Sequence, residues 1–272
     1  MRLFSAILLC CAAPTFAQPI SPEQERLSVV KLLQQRLPGT GPNDWVEGGR
    51  GAEPGVAVIA LSSDNATNTH DILAIGKKAW DRKFRNGKTL ATCFPNAGKR
   101  VAAGYPQVDS KTGEIITLDS ALRECYQKNG EGELATDATL GPLVAYTRTL
   151  SEGQRMNVRV SGAAAQEHFD AGRRSYYQRM GQQNYACASC HIQHAGKIFA
   201  EHNLSPVVGQ AVTWPRVAAG DGVRSLQQQM QRCIERSGAE PLALGALEMN
   251  QLEYYVAYLS NNLPIRPLVT VR

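Results

Sequence analysis

Two thiols and an imidazole fall within five residues, Cys187-Ala188-Ser189-Cys190-His191, a C-x-x-C-H run. In this pattern the two cysteines add across the vinyl groups of a haem, and the next histidine ligates the iron from the proximal side. The spacing is what the chemistry requires. One turn of backbone reaches both vinyls, and His191 then lies beneath the ring. A zinc centre would need a second cysteine pair nearby, and the sequence has none. A thioredoxin-like dithiol would need a surrounding βαβ pattern, which is also missing. One covalently attached haem c is predicted, held by Cys187 and Cys190, with His191 on the iron.

The opening residues, MRLFSAILLCCAAPTFA, place Arg2 before an apolar run that ends in the small-residue site Thr15-Phe16-Ala17. This reads as a secretory signal peptide over residues 1–17. The mature chain is expected in the periplasm, where haem attachment and disulfides are both possible. No later stretch approaches the ~20 apolar residues of a membrane span. The formal charge of +5 becomes +4 without Arg2, and no basic cluster of nucleic-acid type appears. A mildly basic surface suits small anions or an acidic protein partner.

The elements that must position the motif come as two halves. Residues 18 to about 65 form an N-terminal extension. In it "SPEQERLSVVKLLQQRLPG" has Ser21 as N-cap, Pro22 at the first helical position and Gly39 past the end, so a helix is predicted. A Gly/Pro-rich connector over residues 39–55 and the apolar "VAVIAL" follow. Then a weak repeat begins. "DILAIGKKAWDRKFRNGKTLATC" resembles "EHFDAGRRSYYQRMGQQNYACASC", each with a glycine and two basic residues before an aromatic: Gly76 and Trp80, Gly172 and Tyr176. "LGPLVAYTRTLS" around Tyr146 matches "LEYYVAYLSNNL" around Tyr258. The expected fold is mainly α, with short strands at most near "VAVIAL" and "EIITL". It comprises two cytochrome c-like domains: a haemless one over residues 18–150 with the extension, and a haem-binding one over 151–272.

The repeat also sorts the cysteines. "LRECYQKNG" places Cys125 five residues before Gly130, and "MQRCIERSG" places Cys233 five residues before Gly238. Cys93 matches an attachment cysteine, but Phe94-Pro95-Asn96 follows it, with neither a second cysteine nor a histidine. A Cys93–Cys125 disulfide is predicted. It closes a loop of ~30 residues and is worth about 3–4 kcal/mol by the chain-entropy estimate. Cys233 is then left as a single unpaired thiol in the half that holds haem.

Three residues could supply the second axial ligand: Met230, Cys233 and Met249. Met230 and Cys233 are three apart and share a helix face, whereas Met249 opens the last helix and reads as core. His194 and His202 are too near the motif to swing round. A free thiol in an exported protein is a liability unless something protects it, and ligation as thiolate does so. Thiolate also lowers the haem potential, so Cys233 is favoured, and with it sulfur chemistry.

Several of these segments together resemble one family. "NGKTLATCFPN", the Cys125 segment, "CASCHIQHAGK", "LSPVVGQAVTWP" and "LEYYVAYLSNNL" are similar to the SoxA subunit of SoxAX cytochromes, over roughly residues 70 to 263. The resemblance implies a one-haem L-cysteine S-thiosulfotransferase, coupling thiosulfate to a cysteine of a SoxY-SoxZ carrier protein. Electrons would leave through haem to the small cytochrome SoxX. It also implies that Cys233 is distal ligand and catalytic cysteine, often a persulfide. The family's substrate arginine falls at Gln229, a departure. Arg236, three residues past Cys233, and Arg232, next to it, are the replacement candidates for binding a sulfonate group. Arg216 and Arg224 are weaker ones. Alternative readings are a plain electron carrier with methionine ligation and a thiosulfate dehydrogenase forming tetrathionate.

Overall fold

The computed structural model describes residues 20–45, 63–130, 137–199, 202–218 and 222–266. The signal peptide over 1–17 and "VAVIAL" lie outside them. The first helix, α1 (Pro22–Arg36), begins where its capping sequence demands. Ser21 Oγ accepts the Gln24 N–H at 3.3 Å while Gln24 Oε1 accepts the Ser21 N–H at 3.0 Å, a reciprocal capping box. A single helical turn, α2 (Pro42–Trp45), buries Trp45.

Two helical units follow. The first runs from α3 (Ser63–Asp81) through a small hairpin, β1 (Gln107–Val108) and β2 (Ile115–Ile116), to α4 (Leu118–Lys128) and α5 (Asp137–Thr149). The second runs from α6 (Ala163–Tyr177) through a π-helical turn at Ser189–Gln193. Two hairpins come next, β3 (Ile198–Phe199) with β4 (His202–Asn203) and β5 (Arg216–Ala218) with β6 (Gly222–Arg224). Helices α7 (Leu226–Arg236) and α8 (Leu247–Leu259) close it. The strand at "EIITL" is present as β2. The two hairpins of the second unit are additional to the expected strands.

Within each unit the first and last helices cross closely, and a glycine sets the distance. A Cβ on Gly76 would lie 2.1 Å from the Pro142 carbonyl oxygen and 2.8 Å from Tyr146 Cβ. A Cβ on Gly172 would lie 2.1 Å from the Gln251 carbonyl oxygen and 2.9 Å from Tyr255 Cβ. The aromatics foreseen after the glycines meet the same tyrosines, Trp80 with Tyr146 at 6.2 Å and Tyr176 with Tyr255 at 5.3 Å between ring centroids. The counterpart of Tyr146 is therefore Tyr255, one helical turn before the expected Tyr258. A three-residue slip keeps the same helix face, so the sequence match could not tell the two apart.

The first unit has no haem motif, and aromatic side chains fill its centre. Trp80 stacks on Phe94 at 5.7 Å, and Phe84 meets Tyr126 edge-on at 5.2 Å, around buried Leu90 and Leu122. Cys93 and Cys125 are joined by a disulfide across a sequence separation of 32.

Helix α1 precedes the haemless unit in the chain but docks on the second unit, against α8 and the π-helical turn. The buried Glu25 carboxylate accepts the Tyr255 hydroxyl at 2.8 Å and faces Arg173 Nε at 3.2 Å, and Arg36 donates to the Gln193 carbonyl at 2.7 Å. Helix α1 thus sits with residues beyond 150.

The two units meet across buried charge. Arg148 of α5 donates to the Ala211 carbonyl at 2.7 Å, and its guanidinium faces Glu253 of α8 and Asp119 of α4. Burial pushes the Glu253 carboxyl up to about 7, helped by Asp119; Gln227 and Arg148 pull the other way.

Two outcomes follow. Gly172→Ala forces backbone apart and should cost about 1–3 kcal/mol, lowering the melting temperature by several degrees. Gly104→Ala, where a Cβ would meet nothing within 4 Å, should leave it unchanged in the same thermal scan. Glu253 holds a proton in the fold that the unfolded chain has already lost. Its contribution is complete below pH ~4.5 and disappears as pH rises through about 7. Urea midpoints should fall over that window by the equivalent of about 2–3 kcal/mol, and Glu253→Gln should flatten the profile.

Candidate functional site

The segment before the haem motif is stitched to the end of α7. Gln183 N–H donates to the Ser237 carbonyl at 3.0 Å and Gln182 N–H to the Gly238 carbonyl at 3.4 Å. Gly181 has φ +68°, and a Cβ there would lie 2.2 Å from the Ser237 oxygen. This seam brings Cys187 and Cys190 beside the helix that carries Cys233. That helix opens with a Ser225/Gln228 capping box and ends at Gly238 with φ +75°. Helix α4 opens with a Thr117/Ser120 box, ends at Gly130 with φ +74°, and carries Cys125 at the same helical position.

The motif itself takes a π-helical turn. Ala186 N–H donates to Ser189 Oγ at 3.1 Å, and His194 N–H reaches the Ser189 carbonyl at 3.0 Å. Such turns widen the backbone by one residue and recur at functional sites. His191 Nδ1 lies 2.7 Å from the Ser205 carbonyl oxygen, which accepts only, so Nδ1 carries the proton and Nε2 keeps its lone pair. The Gln210 amide is 2.8 Å from the same nitrogen and 3.0 Å from Ser205 Oγ. With Nδ1 protonated, that amide must present its oxygen to the ring. Burial drives the imidazole pKa below its ordinary value, against the Ser205 bond, which favours the neutral ring.

Cys187, Cys190 and Cys233 are all free thiols and half-buried. Burial pushes the Cys187 thiol up to about 12, and the charge at Cys233 adds to it; Cys190 is raised by the same two causes. Burial also raises Cys233, opposed by the Gln229 amide, whose Nε2 is 3.7 Å from Sγ, and by the Arg236 charge. Each of the three sulfurs thus lies within electrostatic reach of the other two. Among the described residues no three of His, Cys, Asp and Glu gather closely enough for a bare ion. The set suits a ligand that brings its own equatorial donors. Two thiols for vinyl addition, an imidazole with a free Nε2 and a third sulfur fit haem c.

The other candidates separate clearly. Met249 is fully buried in α8, and Met230 packs half-buried against the core one turn before Cys233. His194 is exposed; the side chain of His202 lies outside the described set. Arg236 is exposed but its charge reaches Cys233. Arg232, also exposed, lines a polar surface pocket with Arg224, Gln228 and Glu235 on the flank of α7. Sequence reasoning missed two positioning residues, Ser205 and Gln210. It also missed that Arg224 Nη1 donates to Gln229 Oε1 at 3.1 Å, placing an arginine one amide away from Cys233. The segment "LSPVVGQ" was the available signal for the first two; nothing local announced the third.

Comparison with known proteins gives these groups a family. The SoxA/TsdA cytochrome c domain matches residues 75–156 and 171–265, one stretch in each unit. The L-cysteine S-thiosulfotransferase subunit SoxA of Chlorobaculum tepidum is 34% identical over 190 residues, 69% of this chain and 66% of that protein. The chain therefore spans slightly less than two thirds of that relative. The subunit of the same name from Allochromatium vinosum is 27% identical over 249 residues, 90% of this chain and 88% of that one. The crystal structure of SoxXA from P. pantotrophus superposes with a TM-score of 0.66 at 25% identity, covering 73% of this chain and 76% of that one. Among the described residues no helix is long and apolar enough to cross a membrane. Two cytochrome c-like units, a haem c motif in the second and a family match across both make this chain a member of the SoxA/TsdA cytochrome c family.

Proposed function

We propose that this chain is the haem c subunit of a periplasmic L-cysteine S-thiosulfotransferase. It joins thiosulfate oxidatively to a cysteine of a SoxYZ-type carrier protein, in complex with a SoxX-type small cytochrome. What carries the reading is Cys233: an unpaired thiol within electrostatic reach of Cys187 and Cys190, while Cys93 and Cys125 are occupied with each other. The names of the relatives from Chlorobaculum tepidum and Allochromatium vinosum support the activity, and the SoxXA title supports the partner.

In this mechanism Arg236 and the Gln229 amide hold the sulfonate end of thiosulfate, with Arg232 on the outer flank. The terminal sulfur is then directed at Cys233. A sulfur–sulfur bond forms, the Cys233 proton leaves, and two electrons depart. The carrier's cysteine thiolate attacks that terminal sulfur next, taking the thiosulfonate group and returning Cys233 as thiolate, with no further change in oxidation state. A single bound haem supplies an iron that accepts one electron at a time, so a partner cytochrome must take the second. His191 holds its side of the site rigid through Ser205 and Gln210.

Cys233→Met should retain one haem per chain by mass spectrometry yet lose thiosulfate conjugation to the carrier. An active variant would sink the mechanism and leave a plain electron carrier. Tetrathionate made from thiosulfate without any carrier would instead assign a thiosulfate dehydrogenase. Arg236→Ala should raise KM for thiosulfate about 10-fold or more, the loss of one charge-assisted hydrogen bond.

A further inference from the structure

A buried polar atom without a partner calls for an explanation. Among the described residues four side-chain atoms are in that state: Arg148 Nε, Arg173 Nε, Arg216 Nε and the Tyr176 hydroxyl. The three guanidiniums are engaged elsewhere. Arg148 bonds the Ala211 carbonyl, Arg216 bonds Thr213 Oγ1 and stacks on Trp214, and Arg173 faces Glu25. Tyr176 has a single polar group, and that group is the one left unpaired. Its neighbours on α8 differ: the Tyr254 hydroxyl donates to the Arg159 carbonyl and the Tyr255 hydroxyl to Glu25. Phenylalanine would fill the same space without the cost of desolvating a hydroxyl.

The repeat shows where a side chain at this position points. In the first unit Trp80, four residues past Gly76, stacks on Phe94, the residue after Cys93. A Cβ on Gly98 would lie 2.5 Å from the same ring. Tyr176 stands four residues past Gly172, only 2% exposed, between Tyr255 at 5.3 Å and Tyr177 at 5.8 Å. Burial, and after it the charges at Cys187, Tyr177, Cys233 and Cys190, holds its phenol well above the usual range. The hydroxyl thus stays a donor, within electrostatic reach of all three sulfurs of the site. Haem attachment makes neutral thioethers of Cys187 and Cys190. The anion left for this donor is the one that the reaction brings to Cys233.

We propose that the Tyr176 hydroxyl binds the substrate, donating a hydrogen bond to a sulfonate oxygen of thiosulfate as the terminal sulfur meets Cys233. This role rests on the reaction proposed above and adds a residue to its binding step. A sulfonate has three oxygens, more than Arg236 and the Gln229 amide take up. Arg236 is exposed, whereas Tyr176 is sealed in the core. The phenol therefore meets the anion from inside the fold while Arg236 meets it from solvent. A neutral donor brings no charge of its own, yet its bond is strong because the acceptor is ionised.

Tyr176→Phe in the haem-loaded protein removes one oxygen atom and keeps the ring. With the haem fully reduced no electron can leave, so calorimetry with thiosulfate reads binding alone. The variant should bind thiosulfate about 10-fold or more weakly, the loss of one hydrogen bond to a charged group. Its melting temperature should equal or exceed that of the parent, because no bond within the fold is lost. Its midpoint potential should match the parent's. Unchanged thiosulfate binding overturns the proposal. So does a melting temperature lower by several degrees, or failure to fold, since the hydroxyl would then serve the structure. A shifted potential with binding unchanged assigns the donor to haem, which overturns it too. The proposed reaction fails on a different result, an active Cys233→Met protein, which none of these measurements can supply.

Discussion

The closest approach in each unit is a helix crossing with no room for a Cβ. Gly76 lies under the Pro142 carbonyl and Tyr146, and Gly172 under the Gln251 carbonyl and Tyr255. These contacts fix where the first and last helices meet, and so the size of the space that the intervening chain must enclose. In the second unit that space is bounded by the motif turn and α7, the walls of the haem site. In the first it is lined by Trp80, Phe84, Phe94 and Tyr126. One frame therefore serves two interiors, a cofactor shell and a solid aromatic core. Dense packing is what allows the second to stand without a prosthetic group.

The same duplication accounts for the sulfur chemistry. Helices α4 and α7 have equal length, equivalent caps and a cysteine at the same place. In the first unit that cysteine meets Cys93 and is consumed in a disulfide; in the second it is an unpaired thiol within electrostatic reach of Cys187 and Cys190. The Gln182 and Gln183 seam along the end of α7 then keeps all three sulfurs within electrostatic reach, a geometry that neither helix nor motif alone would impose.

Much of this was legible from residue order. The α1 cap at Ser21, the Cys93–Cys125 pair and the glycine-aromatic spacing are local signals, and the structure places each group accordingly. What stayed hidden was either degenerate or long-range. Tyr255 and Tyr258 are one turn apart on the same face, so similarity between segments could not choose between them. The amphipathic pattern of α1 says that one side is buried, but not that Glu25 would seek Tyr255 across 230 residues. The Arg224–Gln229 contact depends on the β5–β6 hairpin, whose short strands leave no periodic signature.

The buried arginines show how the two units depend on each other. Arg148 belongs to the haemless unit, yet its Nη2 bonds the Ala211 carbonyl, in the loop that runs from Ser205 and Gln210 to Trp214 and Arg216. That loop fixes the tautomer of His191 at one end and carries the desolvated Arg216 guanidinium at the other. Val207, Val208, Ala211 and Val212 anchor the loop in the core, and the bond from Arg148 adds a polar fixed point midway along it. Glu253 and Asp119 keep Arg148 in place, and they come from α8 and α4, one from each unit. The haemless unit is thus better understood as a buttress for the proximal wall than as a vestige.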